Sequence, residues 1–194
     1  MKFIIFSIVA SILLFCMFCC NGVENKKVFG KSYDYQREVI LKEVKVDTLE
    51  IVSTSRELFF PFGWFATPNE LLAKYPLVLV SQSKNKNDVS VYRYTLGRNS
   101  LSFVLTEDWY DNVIRMMIVN AEIRDNKIKI WDDIYVGMNK KELIHILYGT
   151  MPNEQIDKIY SITLISGVLG LWYYYTFNGN KLVSIVIKSD FSID

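Results

Sequence analysis

The chain has 194 residues and a mass of 22.6 kDa, which suits one or two small domains. Apolar residues make up 51% and charged residues 22%, a composition that excludes an intrinsically disordered chain and a coiled coil. The 22 basic and 21 acidic side chains nearly cancel, so the sequence lacks the basic excess that nucleic-acid binding needs.

Residues 1–20 have the layout of a secretory signal. Lys2 is followed by an uncharged apolar stretch from Phe3 to Cys20, and a polar segment begins at Asn21. This layout predicts export, so the segment contributes nothing to the mature fold. Residues 21–36 are polar and rich in lysine, and they are predicted to be a tether.

All three cysteines lie at the end of the signal segment, at Cys16, Cys19 and Cys20, so the exported domain has no disulfide framework. Their position resembles that in bacterial lipoprotein signals, where the cysteine at the cleavage point is acylated. That signal takes a small residue before the acylated cysteine. Cys20 follows the small Cys19, whereas Cys19 follows the bulky Phe18, so the resemblance implies lipidation of Cys20. An uncleaved signal anchor, which needs ~20 apolar residues, and plain secretion remain open.

From Arg37 onward the pattern is typical of β-structure. β-Branched and aromatic residues alternate with clusters of Asn, Asp, Gly and Lys. Asp125 and Asn126 are predicted to form a tight turn between two of the strands. After the first β-segment, at 39–51, the predicted strands are 77–83, 89–96, 100–107, 113–124, 127–131, 157–165, 170–177 and 181–188.

Two short helices are predicted. The first begins at the N-cap Thr67, where Pro68 suits the first helical position and Glu70 can bond back to the cap backbone. The second begins at the N-cap Asn139 and stops at Gly149.

The two helix patterns correspond position by position, and each precedes a strand pattern that also recurs, with Tyr92–Leu96 matching Tyr173–Phe177. This order indicates an internal duplication. The sequence therefore predicts an α+β fold of two tandem units, each a short helix packed on an antiparallel β-meander. The first unit would cover residues 37–126 and the second residues 127–194.

One segment of the second unit carries a family resemblance. Residues Ile134–Leu143, with the ending Leu147–Gly149, resemble the opening of the BamE (SmpA/OmlA) and β-lactamase-inhibitor-protein group. In that group a Gly-Met/Thr-x-x-x-Glu/Gln-hydrophobic helix ends in Leu-Gly, and a strand with a Trp-x-Tyr-like pattern follows, as at Trp172–Tyr175. Pro152 comes one residue later than the group's pattern, and the first half lacks the Gly-Met start.

The resemblance covers residues 127–190 well and residues 60–125 more weakly. Members of the group are non-enzymatic and mostly bind other proteins at or beyond the cell envelope. β-Lactamase-inhibitor proteins are themselves tandem duplications of such a unit. The resemblance therefore implies a non-catalytic binding protein with a repeated fold.

The last predicted hairpin has a two-residue turn at Asn178-Gly179 or Gly179-Asn180. Alternation along the strands then separates two faces. The face predicted to pack under the helix carries Trp172, Tyr174, Val183, Ile185 and Ile187. The face predicted to be open carries Leu171, Tyr173, Tyr175, Phe177, Leu182, Ser184, Val186 and Lys188.

The open face is predicted to bind protein through Tyr173, Tyr175 and Phe177, because tyrosine gives rigid apolar area with a polar tip. Two alternatives remain open. A three-residue loop would exchange the two faces, and the N-terminal strands would otherwise cover these side chains.

An aromatic run, Phe59–Phe65, precedes the first helix. As structure it would be a helix-capping staple and core plug. As function it would be an exposed loop that enters a partner or a lipid layer, with Trp64 and Phe65 as contact residues.

Groups suited to catalysis are few. His145 is the only histidine and is predicted on the surface of the second helix. The carboxylates at Glu107-Asp108, Asp111 and Asp132-Asp133 lack the spacing of a calcium loop and are predicted in exposed turns. The sequence also lacks a nucleophile elbow and a glycine-rich phosphate loop. It therefore predicts no enzyme, no cofactor and no metal site.

These features predict an exported, lipid-anchored, non-catalytic protein-binding module of the bacterial cell envelope, of an assembly, inhibitor or immunity type. The lipoprotein would lie at the outer membrane or face the periplasm. Its predicted partner is another envelope or extracellular protein, and no nucleic acid. The alternative function is a small-ligand or lipid carrier with a pocket between helix and sheet.

Overall fold

The computed structural model describes residues 39–45, 47–84, 88–108, 110–167 and 170–190. The predicted signal segment, the tether and Cys20 lie outside these residues. Arg37–Asp194 group into one compact unit. No helix within the described ranges has the length and apolar character that crossing a membrane requires.

The described residues form eleven strands and three short helices. The helices are α1 (Pro68–Lys74), α2 (Lys140–Leu147) and α3 (Asn153–Lys158), and single 3-10 turns lie at Arg56–Phe59 and Trp131–Asp133. The strands are β1 (Val39–Lys45), β2 (Thr48–Ser53), β3 (Val78–Lys84), β4 (Ser90–Leu96), β5 (Asn99–Glu107), β6 (Ile114–Ile123), β7 (Lys129–Ile130), β8 (Ile134–Tyr135), β9 (Ser161–Ser166), β10 (Leu171–Asn178) and β11 (Lys181–Ser189).

Nine of these strands form a single mixed sheet in the order β1-β2-β9-β10-β11-β6-β5-β4-β3. β2 and β9 run parallel, whereas the other neighbouring strands of this sheet are antiparallel. β7 and β8 make a separate two-stranded ribbon. In the centre of the large sheet β11 pairs with β6, with Ile187 opposite Ala121.

The predicted α+β fold of two helix-on-meander units is wrong, because the chain is mostly β and its long strands belong to one nine-stranded sheet. Two pairings explain the difference. β6 and β11 pair with each other, which removes the open edge that each would leave in a separate unit. β2, from the N-terminal part of the chain, adds in parallel to β9.

The two strands on either side of the predicted tight turn at Asp125-Asn126 do not pair with each other. β6 pairs with β5 and β11, whereas β7 pairs with β8. A tight turn does follow β6, but the chain then leaves the large sheet. The turn residues Asp125 and Asn126 therefore predict the position of the turn correctly, but they do not determine which strand β7 pairs with.

Both predicted helix starts are confirmed. The Thr67 side chain accepts a hydrogen bond from the Glu70 N–H at 3.3 Å, and the Glu70 carboxylate accepts one from the Ala66 N–H at 2.9 Å. At the start of α2 the Asn139 side chain accepts from the Lys141 N–H at 2.9 Å. These bonds satisfy N–H groups that have no partner inside the helix. Helix α3 was not predicted, and no side-chain cap marks its start.

The core joins apolar residues of the large sheet with residues of the three helices and of the 3-10 turn at Arg56–Phe59. The Tyr173 hydroxyl donates a hydrogen bond to the Leu58 carbonyl, so this turn lies directly over the central strands. The apolar stripe of α2 is buried with it. Buried members of the sheet include Leu49, Ile51, Ile162, Leu164, Tyr173, Tyr175, Ile185 and Ile187.

The predicted faces of the last hairpin are wrong. Tyr173, Tyr175 and Phe177 are buried, so they present no open binding surface. The reason is a register shift between Thr176 and Phe177: Phe177 faces Leu182 as alternation predicts, but Tyr175 faces Ile185. A bulge in β11 therefore brings its isoleucines onto the face of the tyrosines.

Asn99 fastens the turn after β6 to the start of β5. Its buried side-chain oxygen accepts from the N–H groups of Arg124 and Asp125 at 2.8 and 3.2 Å, and its amide donates to the Asp125 carboxylate at 2.7 Å. Asn99→Ala is expected to lower the free energy of unfolding by about 1–3 kcal/mol, because two backbone N–H groups lose their acceptor and the Asp125 carboxylate loses a donor. Urea denaturation measures this loss. An unchanged midpoint would contradict it, and Asn126→Ala, at an exposed site, is the control.

Candidate functional site: an exposed aromatic and arginine cluster

The aromatic run before α1 is divided between the core and the surface. Phe59, Phe60, Phe62 and Phe65 are buried, so the structural interpretation of a core plug is confirmed for them. Trp64 lies between them in the chain, yet its side chain is 43% exposed. The exposure that the functional interpretation requires is therefore present at Trp64 and absent at Phe65.

Backbone hydrogen bonds hold this loop in place. The Met116 N–H donates to the Phe65 carbonyl, and the Trp131 N–H donates to the Pro61 carbonyl, both at 2.8 Å. The Lys74 ammonium of α1 donates to the Phe62 carbonyl at 2.8 Å. The exposed tryptophan therefore stands on a backbone that is fixed on both sides.

Three side chains contact the Trp64 ring. Phe60 stacks on it with centroids 4.0 Å apart and an interplanar angle of 21°. The guanidinium carbons of Arg56 and Arg115 lie 4.6 and 4.9 Å from the ring centroid. These are stacking and cation–π geometries, which restrict the motion of an exposed ring.

The Arg56 guanidinium lies close to a second exposed ring. Its central carbon is 4.3 Å from the ring centroid of Tyr110, in the turn between β5 and β6. Tyr110 is 68% exposed. The same arginine thus contacts both Trp64 and Tyr110, which joins the loop before α1 to the β5–β6 turn.

Two carboxylates orient the arginines. Arg56 pairs with the buried Asp108, whose other oxygen accepts from the Tyr110 N–H at 3.1 Å. Arg115 donates two hydrogen bonds to Asp111, at 2.6 and 3.0 Å. Such bidentate hydrogen bonds fix the plane of a guanidinium group. We call this group the Trp64 cluster, and its members are Arg56, Phe60, Trp64, Asp108, Tyr110, Asp111 and Arg115.

The carboxylate of Asp108 is held in its charged form. Burial raises its pKa, but the hydrogen bonds from Arg56 and the Tyr110 N–H, with the charges of Arg56 and Arg115, outweigh burial and bring the pKa below its ordinary value. A carboxylate with a lowered pKa is a poor proton donor near neutral pH. Asp108 therefore serves to position Arg56.

The structure distributes the sequence-predicted site residues differently from the prediction. Trp64 is at the surface, Tyr173, Tyr175, Phe177 and Phe65 are in the core, and Cys20 lies outside the described residues. His145 is exposed on α2, as predicted. Asp108 was predicted in an exposed turn, and this is wrong because Arg56 makes its burial tolerable.

Sequence reasoning missed Arg56, Tyr110 and Arg115. The available signal was weak: an aromatic pair, Trp109-Tyr110, stands between Asp108 and Asp111 in the sequence. No spacing rule connects that turn to Arg56, which lies far away in the chain. Only the packing of β5 and β6 beside the loop brings them together.

Comparisons with protein-family models, with curated proteins and with solved structures found no match for this chain. The resemblance to the BamE and β-lactamase-inhibitor-protein group therefore stays a prediction.

Proposed function

We propose that this chain is a non-catalytic protein-binding module and that the Trp64 cluster is its contact surface. The observation that carries the proposal is that Trp64 is exposed but held rigidly by Phe60, Arg56 and Arg115. Fully burying a large apolar side chain is worth about 1.5–3 kcal/mol, and the 43% of Trp64 that stays exposed forgoes part of this energy. Contact with a partner would recover that energy.

The composition of the Trp64 cluster favours a protein partner. Tryptophan, tyrosine and arginine dominate the residues that supply most binding energy at protein interfaces. Because the rings and guanidinium groups are already ordered, binding loses little side-chain entropy. Val113 and Ile114, also exposed, follow Tyr110 in the chain and extend the apolar area.

The balanced charges of the Trp64 cluster favour a partner that supplies an apolar pocket. The two arginines of the cluster face two aspartates, so their charges cancel and long-range steering is weak. A partner with a strongly charged surface gains nothing from such a site. The complement of the Trp64 cluster is therefore a pocket with an apolar interior and polar groups at its rim.

The location of the module is part of the proposal. The signal layout of residues 1–20 supports export and lipidation at Cys20, which would hold the module at the cell envelope. A partner in the same compartment, bound for assembly, inhibition or immunity, fits this placement. The predicted family resemblance supports the same class of function.

Lipidation has a direct test. Cells expressing the wild-type chain and fed labelled palmitate are expected to show label in the protein, and globomycin is expected to cause a longer precursor to accumulate. Cys20→Ala should abolish the label, whereas Cys19→Ala, which keeps a small residue before the acylated position, should retain it. Label in Cys20→Ala and none in Cys19→Ala would move the site to Cys19. No label in the wild type would overturn the lipoprotein proposal.

The contact surface has a test in living cells. We expect the photoreactive residue benzoylphenylalanine in place of Tyr110 to cross-link one protein partner on illumination. The control places the same residue at Tyr160, which is 62% exposed and belongs to no part of the Trp64 cluster. Cross-linking to lipid alone at position 110 would contradict a protein partner. The same products from both positions would contradict the choice of surface.

A further inference from the structure

An open groove lies at the opposite end of β6 from the Trp64 cluster. Its volume is about 470 Å³, and its rim carries three cations from separate parts of the chain. Arg98 comes from the turn between β4 and β5, Arg124 directly follows β6, and Lys181 is the first residue of β11. The fold thus brings three exposed cations from separate parts of the chain to one groove and concentrates positive charge there.

The protein itself neutralises only part of this charge. The Arg124 guanidinium donates to the Glu122 carboxylate at 2.6 Å, and the Arg98 guanidinium donates to the Arg124 carbonyl at 3.0 Å. Among the ion pairs of the described residues, neither Arg98 nor Lys181 has a carboxylate partner. The groove therefore has a net positive rim with the two arginines held in position.

The nearby carboxylate of Asp125 is already engaged. It accepts hydrogen bonds from the Asn99 amide at 2.7 Å and from the Lys127 N–H at 3.0 Å. The Asn99 hydrogen bond is the largest of the effects that lower the pKa of Asp125. The Asp125 carboxylate therefore stabilises the turn after β6. Among the ion pairs of the described residues, it pairs with neither Arg98 nor Lys181.

The floor of the groove is apolar and open. Val136, Leu182 and Val183 line it, and Val183 is partly exposed. Gly137 has a φ of +107°, and a Cβ built on it would meet only a Tyr135 carbon, at 3.9 Å. Glycine both permits this backbone and leaves the space in front of it free.

We propose that this groove binds a small organic anion. Its carboxylate or phosphate group contacts Arg98 and Lys181 at the rim, and its apolar body lies on Val136 and Val183. Guanidinium groups bind both kinds of oxyanion through paired hydrogen bonds. The volume falls within the roughly 300–1,000 Å³ of small-molecule sites. The site is separate from the Trp64 cluster and does not depend on the proposed protein partner.

The test uses the full-length chain in neutral detergent micelles and isothermal titration calorimetry. The probes are benzoate and phenyl phosphate, which share an apolar ring, with neutral benzamide and inorganic phosphate as controls. We expect at least one of the two aromatic anions to bind, benzamide to show no binding, and inorganic phosphate to bind more weakly than phenyl phosphate. The better of the two aromatic anions identifies the head group.

Variants locate the binding. Arg98→Gln/Lys181→Gln is expected to weaken the bound anion about tenfold or more, because both rim contacts are lost. Arg93→Gln/Lys158→Gln removes the same charge from exposed positions outside the groove and should leave affinity unchanged. Val183→Glu should abolish binding, because its carboxylate occupies the groove.

Four results would overturn the proposal. Neither aromatic anion binds. Benzamide binds as tightly as benzoate, which would make the site merely apolar. Inorganic phosphate binds as tightly as phenyl phosphate, so that the floor contributes nothing. Both double variants lower affinity equally, which would make the effect one of overall charge.

Discussion

Tyr173→Ala is expected to lower the free energy of unfolding by about 3–5 kcal/mol, the range for removing a buried aromatic side chain. Tyr173 is fully buried in the central sheet, and its ring lies 5.6 Å from that of Trp131 and 6.3 Å from that of Tyr175. Its hydroxyl donates to the Leu58 carbonyl of the loop above. The substitution therefore leaves a cavity and removes a bond between sheet and loop.

Two variants separate these effects in urea denaturation. Tyr173→Phe keeps the ring and loses only the hydrogen bond, so we expect a loss of about 0.5–1.5 kcal/mol. Tyr174→Ala truncates the adjacent tyrosine, which is 37% exposed on the other face, and should cost about 1 kcal/mol or less. Equal losses at positions 173 and 174 would contradict the assignment of Tyr173 to the buried face of β10.

Asp108→Asn is expected to cost about 1.5–3 kcal/mol of unfolding free energy at neutral pH, the range for hydrogen bonds to charged groups. The substitution removes the charge that faces Arg56 and Arg115. Asp108 is buried, so the interaction is less screened than that of a surface pair.

The pH dependence follows from the pKa of Asp108, which is lowered below its ordinary value of 3.8 in the folded protein. A lowered pKa contributes stability that is fully present above pH 3.8 and is lost as the pH falls through the folded pKa. The difference in unfolding free energy between wild type and Asp108→Asn should therefore be constant from pH 7 to about 5. It should shrink below about pH 4, and a difference that persists there would contradict the assignment. Asp157→Asn, at an exposed site on α3, is the control.

Features that depend on neighbours in sequence were predictable. The caps at Thr67 and Asn139 formed as expected, because a cap joins groups only two or three residues apart. Most strand positions after residue 76 were also close to those observed. The exceptions are the short β7, the unpredicted β8, and β9, whose predicted start at residue 157 lies inside helix α3. Alternation and turn residues act over the same short range.

Strand order and face could not be obtained in this way. The parallel pairing of β2 with β9 joins Leu49 to Ile162, and no local pattern encodes it. The residues of β11 that share a face with Tyr173 depend on one bulge near Val183. Beyond this bulge, each β11 residue points to the face opposite to the one that simple alternation predicts. The sequence of an aromatic strand does not show whether its aromatic face is buried or exposed.

Only part of the candidate site, Trp64, could be predicted from the sequence. The aromatic run was unusual enough to suggest Trp64, but the same run also contains four buried phenylalanines. Which aromatic ring of the run Phe59–Phe65 is exposed depends on how this loop packs in the folded chain. The arginines that order Trp64 come from a 3-10 turn and from β6, so the Trp64 cluster exists only in the folded chain.

The most direct test of the proposed contact surface measures the dissociation constant for the partner cross-linked at position 110. Trp64→Ala is expected to raise this constant by about 30-fold or more, as for a dominant interface tryptophan. Tyr160→Ala should change it less than about threefold, and both variants should remain folded in denaturation experiments. Wild-type affinity in folded Trp64→Ala would show that the exposed tryptophan is only a feature of the loop.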